Sequence, residues 1–268
     1  MSHGTPSSTP WASGDAYERY VGRWSRQVAP RFLEWLAPAP GLRWADVGSG
    51  TGALTATILH RCAPAAVSGV DLSEGFVRLA REQVADPRVV FEVGDATRLP
   101  WGDASHDMAV SGLVLNFVPD QPAMVREMAR VTRPGGRVAA YVWDYAEGMQ
   151  MMRRFWDAAI AEDEAARPIA ESLRFAICNP GPLEALFGAT GLKAVEARPI
   201  DFVMAFRDFD DYWQPFLGGT GPAPAYLIAQ DEPTRERIRR RLQGVLQAAP
   251  GRPIELPARA WAVAGTVG

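Results

Sequence analysis

The sequence predicts an α/β protein built on a parallel sheet, and three observations predict it. A short apolar run ending in Asp46 meets three alternating glycines, Gly48, Gly50 and Gly52, before a helical apolar pattern at Leu54, Ile58 and Leu59. Further apolar runs at residues 66–70, 89–93, 108–111 and 137–143 alternate with helical patterns, the order that builds a parallel sheet through right-handed crossovers. Acidic residues punctuate the strand ends, with Asp71 after the second run and Asp95 after the third. Ligands of such sheets bind beyond the carboxyl ends of the strands, so these residues stand on the functional edge.

Along the chain, residues 1–14 are rich in Ser, Thr, Pro and Gly and read as a mobile tail. Residues 17–36 read as one or two helices divided near Pro30, because proline inside a helix removes a hydrogen bond and crowds the preceding turn. The turn at Gly48, Ser49, Gly50, Thr51 and Gly52 lets a ligand lie against bare backbone, with the N–H groups of the next helix facing it. Its spacing is neither the dinucleotide fingerprint G-x-G-x-x-G nor a P-loop, and the chain's only lysine is Lys193. An acid at Asp71 can accept both hydroxyls of a ribose. After residue 145 the pattern reads as a helix over 149–166, a turn at 179–182, a helix over 183–189 closed by Gly191, and a helix near 235–246.

Composition narrows the classes. The chain has 268 residues, 47% of them hydrophobic, which suffices for one α/β domain over 15–268. A net charge of −3 argues against a partner bound through a broad cationic surface, and the run Arg235, Arg237, Arg239, Arg240 and Arg241 reads as a solvated helix face. Cys62 and Cys178 have no paired spacing, and His3, His60 and His106 lie without carboxylate clusters, so neither a disulfide framework nor a metal is expected. No membrane-spanning run or leader pattern is visible; the expectation is a cytoplasmic soluble protein, with its oligomeric state open.

The ordered series Asp-Val-Gly-Ser-Gly-Thr-Gly, Gly-Val-Asp-Leu-Ser, Gly-Asp-Ala-Thr-Arg-Leu-Pro, Asp-Met-Ala-Val-Ser and Arg-Pro-Gly-Gly-Arg resembles the class I S-adenosylmethionine-dependent methyltransferases. Within them it is similar to the small-molecule branch related to the ubiquinone and menaquinone C-methyltransferases, over roughly residues 15–145. The resemblance implies a Rossmann-like seven-stranded, mostly parallel sheet with helices on both faces. It implies a cofactor core at about 37–145 and strands six and seven at residues 192–206 and 258–266. The segments near 146–180 and 207–256 are then insertions, expected to form a helical lid.

Residue by residue, the resemblance assigns the methionine end of the cofactor to Asp46 and the backbone from Gly48 to Gly52, the ribose to Asp71, and an adenine face to Leu72. Gly94, Asp95 and Ala96 match the segment that recognises the adenine amino group; Ser111, Gly112 and Leu113 match the one lining the sulfonium; Tyr17 matches an N-terminal tyrosine over the cofactor. The product would be S-adenosylhomocysteine. Methyl transfer from a sulfonium needs an in-line nucleophile and exclusion of water more than it needs an obligatory base.

Asn116 and Asp144, after strands four and five, are the candidates for polar contact with the acceptor, with Tyr145 on the same edge, while His106, a tempting base, and Asp107, read as a turn or cap residue, fall at the opposite edge. Met151, Phe155, Trp156, Trp213 and Phe216 could wall an apolar acceptor pocket or could be core. The segment after strand four lacks the Asn/Asp-Pro-Pro-aromatic pattern of nucleic-acid amino-methyltransferases, and the paired-glutamate loop of protein arginine methyltransferases is missing, so a small-molecule substrate is expected. A non-catalytic cofactor-binding regulator of the same fold, or a nicotinamide-dependent oxidoreductase, are the alternatives.

Overall fold

The computed structural model describes residues 18–219, 221–249 and 251–268, with side chains from Tyr20 onward. The expected tail and Tyr17 lie outside these described residues. After a π-helical turn at Glu18–Gly22 come α1 (Arg23–Leu36), β1 (Arg43–Val47), α2 (Ala53–Cys62), β2 (Ala66–Asp71), α3 (Glu74–Gln83) and β3 (Val89–Val93). They are followed by β4 (His106–Gly112), α4 (Gln121–Val131), β5 (Thr132–Trp143), α5 (Gln150–Glu162), the short α6 (Glu171–Arg174), α7 (Pro180–Ala189) and β6 (Lys193–Phe206). The chain closes with α8 (Phe209–Trp213), α9 (Pro222–Ala229), α10 (Glu232–Val245) and β7 (Ile254–Thr266).

The seven strands form one sheet in the order β3-β2-β1-β4-β5-β7-β6. Pairs β2/β3, β1/β2, β1/β4 and β4/β5 are parallel, and β7 runs antiparallel to β5. The order reverses between β1 and β4, the topological switch point at which a crevice opens beyond the carboxyl ends. Central strands read as nearly continuous burial, as parallel strands covered on both faces must: Trp44, Ala45, Asp46 and Val47 are all buried. Helix starts follow local chemistry, with Ser73 accepting the Phe76 N–H, Asp120 that of Ala123 and Asp231 that of Thr234.

Three expectations are corrected. Pro30 does not divide the first helix, since α1 runs unbroken through it. The lost hydrogen bond and ring crowding cost about 3 kcal/mol. Against this, Trp24, Val28, Phe32, Leu33 and Leu36 bury one continuous stripe, worth about 1.5–3 kcal/mol for each large apolar side chain. The helix expected over 149–166 ends at Glu162, where Asp163 begins a separate 3-10 segment by accepting the Ala165 N–H. Asp107 is not a turn or cap residue but lies inside β4, accepting the Arg43 N–H at 2.8 Å and the Arg133 guanidinium, and so clamps the amino edge of the sheet.

The contacts group into two compact units. One holds residues 24–149, 175–202 and 257–268 and includes the cofactor core expected from the sequence; the other takes in residues 18–23, 150–174 and 203–256 among those described. The second unit has an aromatic interior of its own: Phe155 stacks on Phe216 at 4.5 Å, Tyr226 and Trp156 lie 5.5 Å apart, and the Tyr212 hydroxyl donates to the Met151 carbonyl at 2.9 Å. Among the described residues no helix is long and apolar enough to cross a membrane.

Candidate functional site

The glycine turn is shaped by hydrogen bonds reaching across strands. Gly48 and Ser49 both donate their N–H groups to the Val70 carbonyl, at 2.8 and 2.9 Å, and Gly52 donates to the Ser49 carbonyl at 2.9 Å. Gly48 has φ +75°, and a Cβ there would lie 2.6 Å from the Val114 side chain; the glycine lets the segment after β4 close against the turn. Gly50, at φ +53°, has nothing within 4 Å of where a Cβ would stand, so bare main chain faces open space there.

Asp71 does more than the sequence suggested. Its Oδ2 accepts the Gly50 N–H and its Oδ1 the Ser73 N–H, both at 2.9 Å, while its carbonyl accepts the Gly94 N–H at 3.0 Å. One residue therefore fastens the glycine turn, the start of α3 and the end of β3. Burial raises its carboxyl above the ordinary range, and the two N–H donors oppose the shift. Beside it Leu72 is 72% exposed, a large apolar face held in the open. Asp95 accepts both the N–H and the hydroxyl of Thr97 at 2.8 Å on one oxygen, and these bonds lower its carboxyl below the usual range.

Asp46 is buried at the end of β1. Its Oδ2 accepts the Thr55 hydroxyl at 2.6 Å, and burial pushes its carboxyl up to about 7. Across the switch point, Leu113 adopts φ +62° and donates its N–H to the Tyr141 carbonyl at 2.8 Å. That left-handed conformation, uncommon for a bulky residue, turns the chain at the end of β4. Five buried polar atoms without a hydrogen-bond partner lie on the two segments that flank the switch point: Trp44 Nε1, Asp46 Oδ1, Ser49 Oγ, Ser111 Oγ and Asn116 Nδ2. Buried polar groups are ordinarily paired, so these atoms have bonding capacity free for a polar ligand.

The other sequence candidates fall as follows. Asn116 is buried in the short 3-10 turn Leu115–Phe117 and caps no helix. Asp144 accepts the Glu147 N–H at 2.9 Å and its carbonyl accepts the Met149 N–H at 2.7 Å, so it shapes the turn after β5. His106 begins β4 at the amino edge, with Ser105 Oγ 2.9 Å from its Nδ1, and burial holds it below its ordinary pKa. Met151, Phe155, Trp156, Trp213 and Phe216 are all buried in the interior of the second unit, the four rings packed against one another. In this structure their apolar faces are packed against one another. Sequence reasoning missed Thr55 and Val114, whose partners lie on other segments and leave no spacing signal.

The methyltransferase-domain family matches residues 45–140, the stretch that carries all of these features. The chain is 30% identical over 170 residues to the ubiquinone/menaquinone biosynthesis C-methyltransferase UbiE of Burkholderia orbicola, covering 59% of this chain and 70% of that one. The chain belongs to the class I S-adenosylmethionine-dependent methyltransferases. Another methyltransferase relative, the malonyl-[acyl-carrier protein] O-methyltransferase of Erwinia pyrifoliae, is 40% identical over 114 residues, 42% of each chain. The chain spans less than half the length of several of the curated relatives it matches. Among solved methyltransferases, phosphoethanolamine N-methyltransferase 2 of Haemonchus contortus, in complex with S-adenosyl-L-methionine, shares the fold at a TM-score of 0.59 and 18% identity, over 95% of this chain and 56% of that one.

The residues present fit the cofactor of this methyltransferase family. The orphaned Asp46 Oδ1 suits an ammonium group, the open side of Gly50 suits close approach to main chain, and exposed Leu72 beside Asp71 suits a base next to a ribose.

Proposed function

We propose that this chain transfers the methyl group of S-adenosylmethionine to a small-molecule acceptor by direct in-line displacement. The observation that carries the reading is the set of buried, unpartnered polar atoms gathered on the two segments flanking the β1/β4 switch point. When bound, the cofactor supplies a methyl group already made electrophilic by its sulfonium. The chain's own residues bind and orient: Asp46 and the turn from Gly48 to Gly52 hold the amino-acid end, Asp71 the ribose with lone pairs its N–H donors leave free, Leu72 and Gly94 to Ala96 the adenine, and Ser111 to Leu113 the reacting centre.

On the acceptor side, Asn116 offers a buried amide N–H to an acceptor oxygen. Near it in sequence and fold, Phe117 and Phe175 meet edge to face at 5.2 Å and Tyr145 lies 5.5 Å from Phe175, an apolar surface on the carboxyl edge of the sheet unit. Asp144, taken up with its own turn, orients that loop. The role expected of the inserted segments, choosing the acceptor, belongs in this reading to the second unit as a whole rather than to its packed interior.

The arginine run supports a non-nucleic acceptor, since Arg237 and Arg241 pair with Glu162, Arg239 with Asp210 and Arg235 with Glu232. Two buried free cysteines, Cys62 and Cys178, agree with the reducing cytoplasm. Incubation with methyl-labelled cofactor and a cell extract tests the proposal. Label is expected in low-molecular-weight material; label confined to RNA, DNA or protein, or no transfer to any fraction by a protein that binds cofactor, would overturn it.

A further inference from the structure

The two oxygens of Asp46 live in different circumstances. Oδ2 accepts the Thr55 hydroxyl at 2.6 Å, while Oδ1 is buried with no partner. Thr55 is fully buried in the first turn of α2, just beyond the glycine turn. A threonine inside a helix ordinarily bonds back to the carbonyl one turn earlier, and Thr57 does so, donating to Ala53 at 2.8 Å. Thr55, two residues away in the same helix, spends its hydroxyl on the carboxylate instead.

We propose that Thr55 is a positioning residue for the cofactor's ammonium group: its hydroxyl fixes one oxygen of Asp46 and leaves the other aimed at the cationic nitrogen. The inference rests on the cofactor reading above and adds a residue to it. The β-branched side chain has few rotamers, so the hydroxyl is held in place without help from the ligand.

Electrostatics agree with the geometry. Burial, and after it the negative charge of Asp71, raise the Asp46 carboxyl; the Thr55 hydroxyl and main-chain N–H oppose them by bonding to the charged form. Among the described residues Asp71, at the end of β2, is the titratable group that acts on Asp46. Removing the hydroxyl should therefore both loosen the carboxylate and make it harder to ionise, and an ammonium ligand needs it ionised.

The test is calorimetric titration of the parent, Thr55→Val and Thr55→Ser with S-adenosylmethionine and S-adenosylhomocysteine across the range from about pH 5.5 to about pH 9. Parent affinity should rise with pH through about 7, the range of Asp46, and fall again where the ligand's own amine loses its proton. Thr55→Val keeps the shape and removes the donor; it should bind about tenfold more weakly at neutral pH, with the rising limb moved to higher pH and the falling limb unmoved. Thr55→Ser should restore both affinity and limb. Where valine fails to fold, Thr55→Ala takes its place.

A folded Thr55→Val protein with parental affinity and an unshifted limb overturns the role. So does a loss that is uniform in pH and not rescued by serine. A parent that binds neither ligand overturns the cofactor reading itself, and this inference with it.

Discussion

The two units of this molecule differ in where their buried polar groups stand. In the sheet unit, polar atoms of Asp46, Ser49, Ser111 and Asn116 are buried at one edge and left without partners, although burial of such groups is costly. In the second unit the large side chains pack on each other: Phe155 and Phe216 stack, Tyr20 meets Phe216 edge to face, and the buried Glu171 accepts the Trp156 indole N–H on Oε2 while its Oε1 has no partner. In the sheet unit the unpartnered atoms flank the switch point, where a ligand can pair them; in the second unit aromatic packing dominates, although Glu171 Oε1 and Arg235 Nε are also buried without a partner. An aromatic cluster does not by itself mark a pocket, and unpartnered polar atoms beside a switch point are the place to test for a polar ligand.

The largest effect should come from breaking the aromatic interior of the second unit. Phe155→Ala removes a fully buried ring from the stack and should cost about 3–5 kcal/mol of stability in denaturant titration. Cofactor affinity of the remaining folded protein should be unchanged. A small stability loss with a large loss of turnover would instead return Phe155 to the pocket wall.

In the sheet unit, Asp71→Ala should weaken cofactor binding at least about tenfold, by losing hydrogen bonds to the ribose hydroxyls. Because the same carboxylate accepts the Gly50 and Ser73 N–H groups, it should also cost about 1–3 kcal/mol of stability. Equal stability with unchanged calorimetric affinity would remove Asp71 from the site.

A pH series sharpens the comparison further. The Asp46 carboxyl lies at about 7 in the fold and at 3.8 without it, so between these values the folded state holds a proton that the unfolded state has released. Stability contributed by this group therefore falls as pH rises from about 4 to about 7, and cofactor affinity rises over the upper part of the same range. Glu171, pushed by burial to about 7, contributes a stability slope of the same sign from the other unit. Asp46→Asn should remove its share of the slope and the rising limb of affinity, whereas Glu171→Gln should remove only a stability slope; loss of the affinity limb in Glu171→Gln would contradict the division.

The smallest effect is expected at the surface. Arg237→Ala and Arg241→Ala each break a partly exposed ion pair with Glu162 and should cost less than about 1 kcal/mol. A double variant that lost substrate turnover would show that this face does more than solvate a helix.

Much of the sheet unit was legible because its signals are local. Three alternating glycines after Asp46, and strands ending at Asp71 and before Asp95, fix a turn and its register within a few residues. Pro30 misled because a local rule met a burial stripe spread along the whole of α1. Thr55 and Val114 were invisible because what matters about them is the facing segment, Asp46 for one and Gly48 for the other. Phe155 and Trp213 were ambiguous for a different reason: a ring destined for a core and a ring destined for a ligand have the same hydrophobicity and the same helical spacing.

The three N–H groups gathered on Asp71 carry a consequence for rate rather than affinity. A turn already fastened at Gly50, Ser73 and Gly94 has its shape before any ligand arrives, so little chain entropy is left to lose at encounter. Association should then proceed at an ordinary bimolecular pace with no slow isomerisation at this loop, and differences among its variants should show up in how long the complex lasts. The same fastening makes the turn a poor candidate for transplantation by itself: moved to another sheet without the aspartate and the neighbouring strand end, the glycines would be merely limp.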